Sequence, residues 1–468
     1  MSELDRAAAA CVFAAFRGTV APEWVLRWIG RGIGGVVLFG RNIESREQVA
    51  RLTAQLRGER EDLLIATDEE GGDVTRLEGR TGSSYPSAWA LGVVDDRALT
   101  EQVAAAIAGE LGSIGINLDF APVADVNSNP DNPVIGVRAF GAEPALVARH
   151  VFAFVAGLQR NCVAACAKHF PGHGDTAADS HLELPVAQEA ALEPFAAALN
   201  AGVRAIMTAH IVVPTLDDAP ATLSRRVVQE LLREELGYRG VVISDALEMK
   251  AVSANMGVEE GAVRALAAGV DALCLGADID EPLVGRVHAA IVGAVRSGRL
   301  PEARVEEAAA RVHDLARWAS RAAGEPGGDV GAEAARRALR VEGDVALNGD
   351  ALVIDLRPAA SIPAGEPTYG LGDSLTGSRT LTLTDAPPDA AALLDAARPV
   401  VVVRDAHRHR WEQETVEALL AAAPDTVVVE VGLPVWRPRG CAYIATHGAS
   451  RASFAAAAAR LRPQNAAV

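Results

Sequence analysis

Cysteine is scarce in this 468-residue chain: Cys11, Cys162, Cys166, Cys274 and Cys441 are scattered through apolar runs with no Cys-x-x-Cys pair. An odd, dispersed set supports neither a disulfide framework nor a thiolate zinc site, so these residues are expected to be buried packing groups. Positive charge is also in short supply, with 44 Lys and Arg against 61 Asp and Glu and a net charge of −17. Nucleic acid and anionic membrane both require basic surface, so neither is expected as a partner, and a neutral or cationic substrate fits better. Long apolar runs are missing too. The first, Ala7 to Phe16, is too short to cross a bilayer and follows Glu3 and Asp5 instead of a basic segment, which argues against a signal peptide and makes the cytoplasm the expected location.

Hydrophobic residues make up 50% of the chain, ample for a packed core, which excludes a disordered or collagen-like chain. The length allows several domains, or one large barrel with an extra unit. Through the first two thirds, short apolar runs alternate with helical patterns, as crossover helices between parallel strands require. The runs are Cys11 to Phe16, Gly35 to Phe39, Leu63 to Asp68, Ile116 to Pro122, Val163 to Phe170, Ala205 to His210, Gly240 to Asp245 and Ala272 to Gly276. Eight such units predict a TIM (β/α)8 barrel over residues 1–325, with a doubly wound open sheet as the alternative. The stretch AAGEPGGDVGAEAARRALR (Ala322 to Arg340) loses apolar periodicity, so residues 326–340 are expected to link to a smaller α/β sandwich domain over 341–468. Its expected strands are Leu352 to Asp355, Val400 to Val403, Thr426 to Val431 and Tyr443 to Thr446, with helices at Glu412 to Ala422 and Ala452 to Leu461. No internal repeat is present, and nothing in the sequence bears on oligomeric state.

In such a barrel the active site lies at the carboxyl ends of the strands, and the polar residues collect there. Asp68 ends the third run, Asp119 and Asp125 flank the end of the fourth, Lys168 and His169 end the fifth, His210 the sixth and Asp245 the seventh. Charges there mark either a site or a barrel-stabilising ion-pair network. The most unusual segment is KHFPGHGDTAADSH (Lys168 to His181), in which Pro171, Gly172 and Gly174 prevent a helix from starting and predict a long loop over the barrel mouth. Its histidines suit either a metal site with Asp175 or Asp179, or general acid/base chemistry in which Asp179 orients His181. The absence of HxH and HExxH units and the ammonium of Lys168 beside His169 weigh against metal. Asp245 closes the apolar strand GVVIS and suits an ionised nucleophile; capping of the next helix is the structural alternative. His407, Arg408, His409 and Arg410 read as a solvated surface patch.

With these residues placed, the sequence resembles family 3 glycoside hydrolases, and within them the bacterial β-N-acetylglucosaminidase branch. The resemblance runs through GIGGVVLFGRNIES (Gly32 to Ser45), ATDEEGG (Ala66 to Gly72), INLDFAPVADVNSNPDNPVIGVRAFG (Ile116 to Gly141), AKHFPGHGDTAADSH (Ala167 to His181) and ISDALEM (Ile243 to Met249). It implies a retaining exo-β-N-acetylglucosaminidase acting on small glycosides with a terminal GlcNAc, without cofactor or metal, in glycan or cell-wall fragment turnover. It assigns Asp245 as the nucleophile that forms a glycosyl-enzyme intermediate and His181, paired with Asp179, as acid/base. Substrate binding falls by the same resemblance to Asp68, Arg76, Arg138, Lys168 and His169, with His210 either beside the site or a satisfied core histidine. His173 and Asp175 are expected to hold the loop's shape. The second domain resembles the C-terminal α/β domain of two-domain members.

Three positions depart from the family pattern: Glu69 stands in place of Gln, Asp73 in place of Arg, and Val137 in place of a polar residue. If Asp73 faces the cleft it should disfavour an anionic aglycone; if it faces solvent it should matter little. A metal-dependent hydrolase remains a rival on sequence alone, and there are two others. One is a phosphorylase, because an imidazole acid/base tolerates phosphate where a carboxylate repels it. The other is a catalytically silent sugar-binding barrel.

Overall fold

A computed structural model describes the chain apart from residues 277–278, 326, 348, 366, 388, 395–397 and 463–468 and the side chain at 255. The chain divides into two compact units: Met1–Glu69, Thr100–Asn132 and Ala142–Gly327 form the first, and Glu70–Leu99, Pro133–Gly141 and Gly328–Val468 the second.

The first unit is the barrel. Its strands are β1 (Val12–Ala14), β2 (Gly35–Val37), β3 (Leu64–Thr67), β4 (Leu118–Asp119), β5 (Ala164–Phe170), β6 (Ala205–Thr208), β7 (Val241–Ser244) and β8 (Leu273–Leu275). All eight apolar runs of the sequence become strands. Each pairs in parallel with the next from β1 to β7, β1 also pairs with β8, and a bridge from Ile243 to Ala272 brings β7 to the start of β8. An open doubly wound sheet would leave β1 and β8 apart. The strands are buried along their whole length, as parallel strands covered by crossover helices must be. Helix starts are locally encoded: Ser45 caps Arg46–Glu59 through the Gln48 N–H, and Asp280 caps Glu281–Arg296 through Leu283.

β5 carries an irregularity that matters for the site. Ala167 pairs with Ile206 and Phe170 with Thr208, so Lys168 and His169 together stand opposite Met207 alone. A bulge of this kind releases side chains from the regular in-and-out alternation and re-aims them.

A barrel-stabilising ion-pair network is present, but at the amino ends of the strands and among residues other than those the sequence left open between a site and such a network. Asp271, fully buried just before β8, accepts from Arg233 at 2.5 Å and the Val242 N–H at 2.9 Å through one oxygen. Its other oxygen takes Arg304 at 2.5 Å and Arg311 at 3.1 Å. Cys11, Cys166 and Cys274 are buried as expected, whereas Cys162 and Cys441 are partly exposed.

The second unit is built on a six-stranded sheet. Five strands run parallel in the order β11 (Arg379–Leu383), β10 (Ala351–Leu356), β12 (Arg398–Val403), β13 (Val427–Glu430), β14 (Ala442–Ala445), and β9 (Arg340–Glu342) closes the edge antiparallel to β14. Alternate residues feed two cores. Val353, Val402, Val429 and Ile444 pack with Phe454 and Leu461 of helix Arg451–Leu461, while Ile354, Val401, Val428 and Tyr443 pack with Val416 and Leu419 of helix Arg410–Ala422. The result is the expected α/β sandwich. β9 and β11 were not foreseen: their residues are largely exposed and lack the continuous apolar character of the other strands.

The unit boundaries differ from the linear division into 1–325, 326–340 and 341–468. Segments 70–99 and 133–141, inserted after β3 and β4, pack with the second unit. Of the expected linker, Pro326 lies outside the described residues, and Val330–Ala338 is a helix that packs on helix Ala88–Val94 within the second unit. Among the described residues no helix is long and apolar enough to cross a membrane.

Replacing Asp271 by Ala leaves Arg233, Arg304 and Arg311 without their buried counter-charge. The expected loss is about 3–5 kcal/mol of unfolding free energy, read from denaturant titration; a loss below about 1 kcal/mol would show that the network does not hold the barrel together.

Candidate active site

The barrel brings most of the sequence-selected residues to the carboxyl ends of its strands. Asp68 follows β3 directly, Asp119 ends β4, Lys168 and His169 sit in β5, His210 follows β6 by two residues and Asp245 follows β7. Lys168, 2% exposed, places its Nζ 2.7 Å from Asp68 Oδ1. Asp119 Oδ1 accepts the Glu69 N–H at 2.9 Å, and burial, reinforced by the neighbouring Glu69 and Asp68, pushes its carboxyl well above the usual carboxylate range. Glu69, one of the three departures, is thus a buried residue rather than a surface variation.

Asp125 is the organiser of the mouth. Fully buried, it takes the His169 Nδ1–H on Oδ2 at 2.7 Å, and on Oδ1 the His169 N–H at 3.3 Å and the His173 N–H at 2.7 Å. These bonds fix which His169 nitrogen carries its proton and leave Nε2 as the position for a ligand. The sequence placed Asp125 at the end of the fourth run but gave it no role.

His173 and the loop behind it form a second network. The ring bridges Thr176 Oγ1 at 2.7 Å and Ser180 Oγ at 3.1 Å, while Asn132 donates to the His173 carbonyl at 2.9 Å. Burial pushes the imidazole down to about 4, so it is neutral at neutral pH. Asp175 accepts the Gln188 N–H at 2.8 Å, another tie within the loop. Gly174 packs so closely that a Cβ would sit 1.9 Å from the Val126 carbonyl oxygen. These contacts hold residues 173–180, and the next residue is His181.

His181 is tethered twice to Asp179 Oδ1, by its N–H at 2.9 Å and by Nδ1 at 2.7 Å. Burial alone would raise the Asp179 carboxyl, but these two bonds outweigh it and hold it below its ordinary value. The Nδ1 contact with a carboxylate fixes the orientation of the ring.

Asp245 accepts the Ala246 N–H at 2.8 Å and is partly exposed. The next helix begins at Lys250 with Met249 as its cap residue, four residues after Asp245, so Asp245 is not its cap. Burial pulls its carboxyl upward; the charges of His210, His169 and His181 pull it further down, leaving it below the usual carboxylate range. His210 is fully buried and satisfied, Nδ1 with Thr222 Oγ1 at 2.8 Å and Nε2 with the Ala246 carbonyl at 3.0 Å. Burial lowers its affinity for a proton. It lies beside the site as a fixed neighbour of the Asp245–Ala246 backbone.

Arg76 and Arg138 belong to the second unit. Arg138 grips Glu70 with two parallel bonds at 2.9 and 2.8 Å and donates to the Val134 carbonyl at 2.9 Å. Arg76 donates to the Pro363 carbonyl at 2.8 Å. Asp73 meets neither alternative raised for it. It is 7% exposed, pairs with Arg404 at 3.1 Å and accepts the Ala449 N–H at 2.7 Å, so its charge is neutralised inside the second unit. Val137 is buried there as well. His407, Arg408 and His409 are half-buried, not a fully solvated patch. Among the described residues, no three His, Cys, Asp or Glu side chains are grouped to hold a metal ion.

The family model described as "Glycosyl hydrolase family 3 N terminal domain" matches residues 21–315, and the chain belongs to that family. A beta-hexosaminidase A of Pseudoalteromonas piscicida is 35% identical over 331 residues, 64% of this chain and 55% of that relative, so the chain spans little more than half its length. A beta-hexosaminidase of Bordetella avium (strain 197N) is 40% identical over 54% of this chain and 77% of its own. Among solved structures, a glycoside hydrolase family 3 beta-N-acetylglucosaminidase from Paenibacillus sp. str. FPU-7 superposes with a TM-score of 0.88 at 32% identity, covering 98% of this chain and 96% of that one. A beta-glucoside phosphorylase, BglX, shares the fold at 18% identity with a TM-score of 0.78, covering 98% and 91%.

An unfolded histidine titrates near its ordinary 6.5, whereas His173 stays neutral down to about 4. Between those values the unfolded chain binds more protons than the folded one, so the contribution of His173 to stability is present above the window and is lost as pH falls through it. A His173→Asn variant is therefore expected to show a flatter decline of stability with acidification than the parent, by up to about 3 kcal/mol, in denaturant titrations across the window. Identical slopes would mean that His173 protonates freely in the folded protein.

Proposed function

We propose that the protein is a retaining exo-β-N-acetylglucosaminidase. Asp245 attacks the anomeric carbon of a terminal β-linked GlcNAc and His181, oriented by Asp179, protonates the departing oxygen. In the second half-reaction His181 accepts a proton from water, which attacks the glycosyl–Asp245 ester and restores the β configuration, as microscopic reversibility requires of a double displacement. The observation that carries this reading is the ionised Asp245 at the end of β7 within the electrostatic reach of a histidine whose Nδ1 is held by a carboxylate. The similarity to beta-hexosaminidases and to the Paenibacillus beta-N-acetylglucosaminidase supports the sugar. Asp68, Lys168 and His169 are the groups that bind its hydroxyls, since charged donors and acceptors in a dry site discriminate strongly for them. Arg76 and Arg138 join them through the family resemblance.

Fragments of bacterial cell wall are the substrates this reading favours. An anionic aglycone is acceptable because the Asp73 charge is neutralised by Arg404. A second reading, phosphorolysis, draws on one feature: the acid/base is an imidazole, which does not repel phosphate as a carboxylate would. A silent sugar-binding barrel has no use for both Asp245 and the Asp179–His181 pair.

Nitrophenol release from the β-N-acetylglucosaminide and the β-glucoside, each with and without phosphate, tests the reading. Faster cleavage of the N-acetylglucosaminide with free sugar as product is expected; sugar 1-phosphate as product would replace hydrolysis by phosphorolysis, and no turnover of either would overturn both. Asp245→Ala is expected to remove turnover. His181→Ala should cost about 10²–10⁴-fold with a poor leaving group and less with nitrophenol, which departs without protonation; Asp179→Ala should cost less than Asp245→Ala. The rate should fall on the acid side as Asp245 protonates, below the usual carboxylate range, and on the basic side as His181 loses its proton. A flat profile on the basic side with a poor leaving group would count against His181 as the acid.

A further inference from the structure

We propose that the barrel carries a second ligand site, for a small phosphate-bearing molecule, at the amino ends of β6 and β7. A cavity of about 560 Å³ opens there, formed by the segments leading into the two strands and by helix Glu302–Ala319. It lies at the opposite ends of these strands from His210 and Asp245.

The charge balance of its lining is uneven. Arg311 gives its donors to Asp271 and Glu307, and Asp314 pairs with Arg317, so these charges are compensated. Arg204 and Arg239 also line the cavity, and among the described residues neither has a carboxylate partner. Arg204 lies 4.4 Å from the centroid of the Trp318 ring, a contact that restrains the guanidinium without neutralising it. Two uncompensated positive charges thus share one concavity on a chain of net charge −17. Gly202 and Gly237, each at φ +74° beside it, leave open space where a side chain would stand, so the backbone does not obstruct the mouth.

Two guanidinium groups present planar pairs of N–H donors that match the oxygens of a phosphate dianion. The volume is in the range of about 300–1,000 Å³ that suits a small organic ligand, more than an inorganic ion needs. Leu199, Leu236 and Leu315 offer apolar surface to a carbon skeleton. A phosphate monoester of a sugar or similar polyol therefore fits better than a neutral sugar. Occupancy here is independent of the proposed glycosidase chemistry, and it predicts binding of phosphate without formation of sugar 1-phosphate.

Isothermal titration at constant ionic strength tests the site with three probes: glucose 6-phosphate, inorganic phosphate and glucose. Glucose 6-phosphate is expected to bind one to one, with Kd raised at least about tenfold in Arg204→Gln/Arg239→Gln and the nitrophenyl glycosidase rate unchanged. Weaker binding of inorganic phosphate with the same sensitivity would show that the phosphate group is what the arginines recognise. Arg239→Gln alone removes an exposed side chain that has no carboxylate partner among the described residues, so it keeps the test decisive if loss of the Trp318 contact unfolds the double variant. No heat from either phosphate at millimolar concentration, equal binding by parent and Arg239→Gln, or glucose binding as tightly as its phosphate would overturn the proposal.

Discussion

The carboxylate of Asp125 is the constraint on which the mouth of the barrel depends. It is fully buried, and three N–H groups, two from His169 and one from His173, satisfy its oxygens. A buried anion that lost these donors would bear its full desolvation cost, so the end of β5 and the start of the following loop are held as one piece. From that anchor the arrangement propagates. His169 is fixed in one tautomer, His173 is turned so that its ring reaches Thr176 and Ser180, and Ser180 precedes the histidine that Asp179 holds.

The two ends of the barrel use charge in different ways. At the amino ends, three arginines and the Val242 N–H occupy both oxygens of Asp271. At the carboxyl ends, Asp245 accepts the neighbouring Ala246 N–H and lies in the field of histidines, which favours its anion while it stays partly exposed. Lys168 and Asp68 form a tight pair at the same ends of the strands. This contrast between saturated and unsaturated carboxylates separates scaffold from site more clearly than the presence of charge does.

Departures from a family pattern acquire meaning only from their surroundings. Asp73 looks in the sequence like a reversal of charge in a loop near the site. Its partners are Arg404 and the Ala449 N–H, more than three hundred residues away in sequence, and they turn it into an internal tie of the second unit. Segments 70–99 and 133–141 are subject to the same rule: they leave the barrel's linear order because their packing surfaces match helix Val330–Ala338 and its neighbours.

By itself the sequence determined the eight barrel strands, the four central strands of the second sheet and the placing of Asp68, Lys168, His169, His210 and Asp245 at strand ends, because buried parallel strands must be apolar and a polar residue closing one stands out. It also determined the pairing of Asp179 with His181, which are too close in the chain to need a fold to meet. Tertiary structure decided the rest. The edge strands β9 and β11 lack a two-sided apolar pattern, so only pairing with β14 and β10 reveals them. The roles of Asp125, Asp271 and Asp73 depend on donors distant in sequence, and whether a carboxylate is saturated, exposed or protonated is set by those donors and by burial, neither of which is written in the local order of residues.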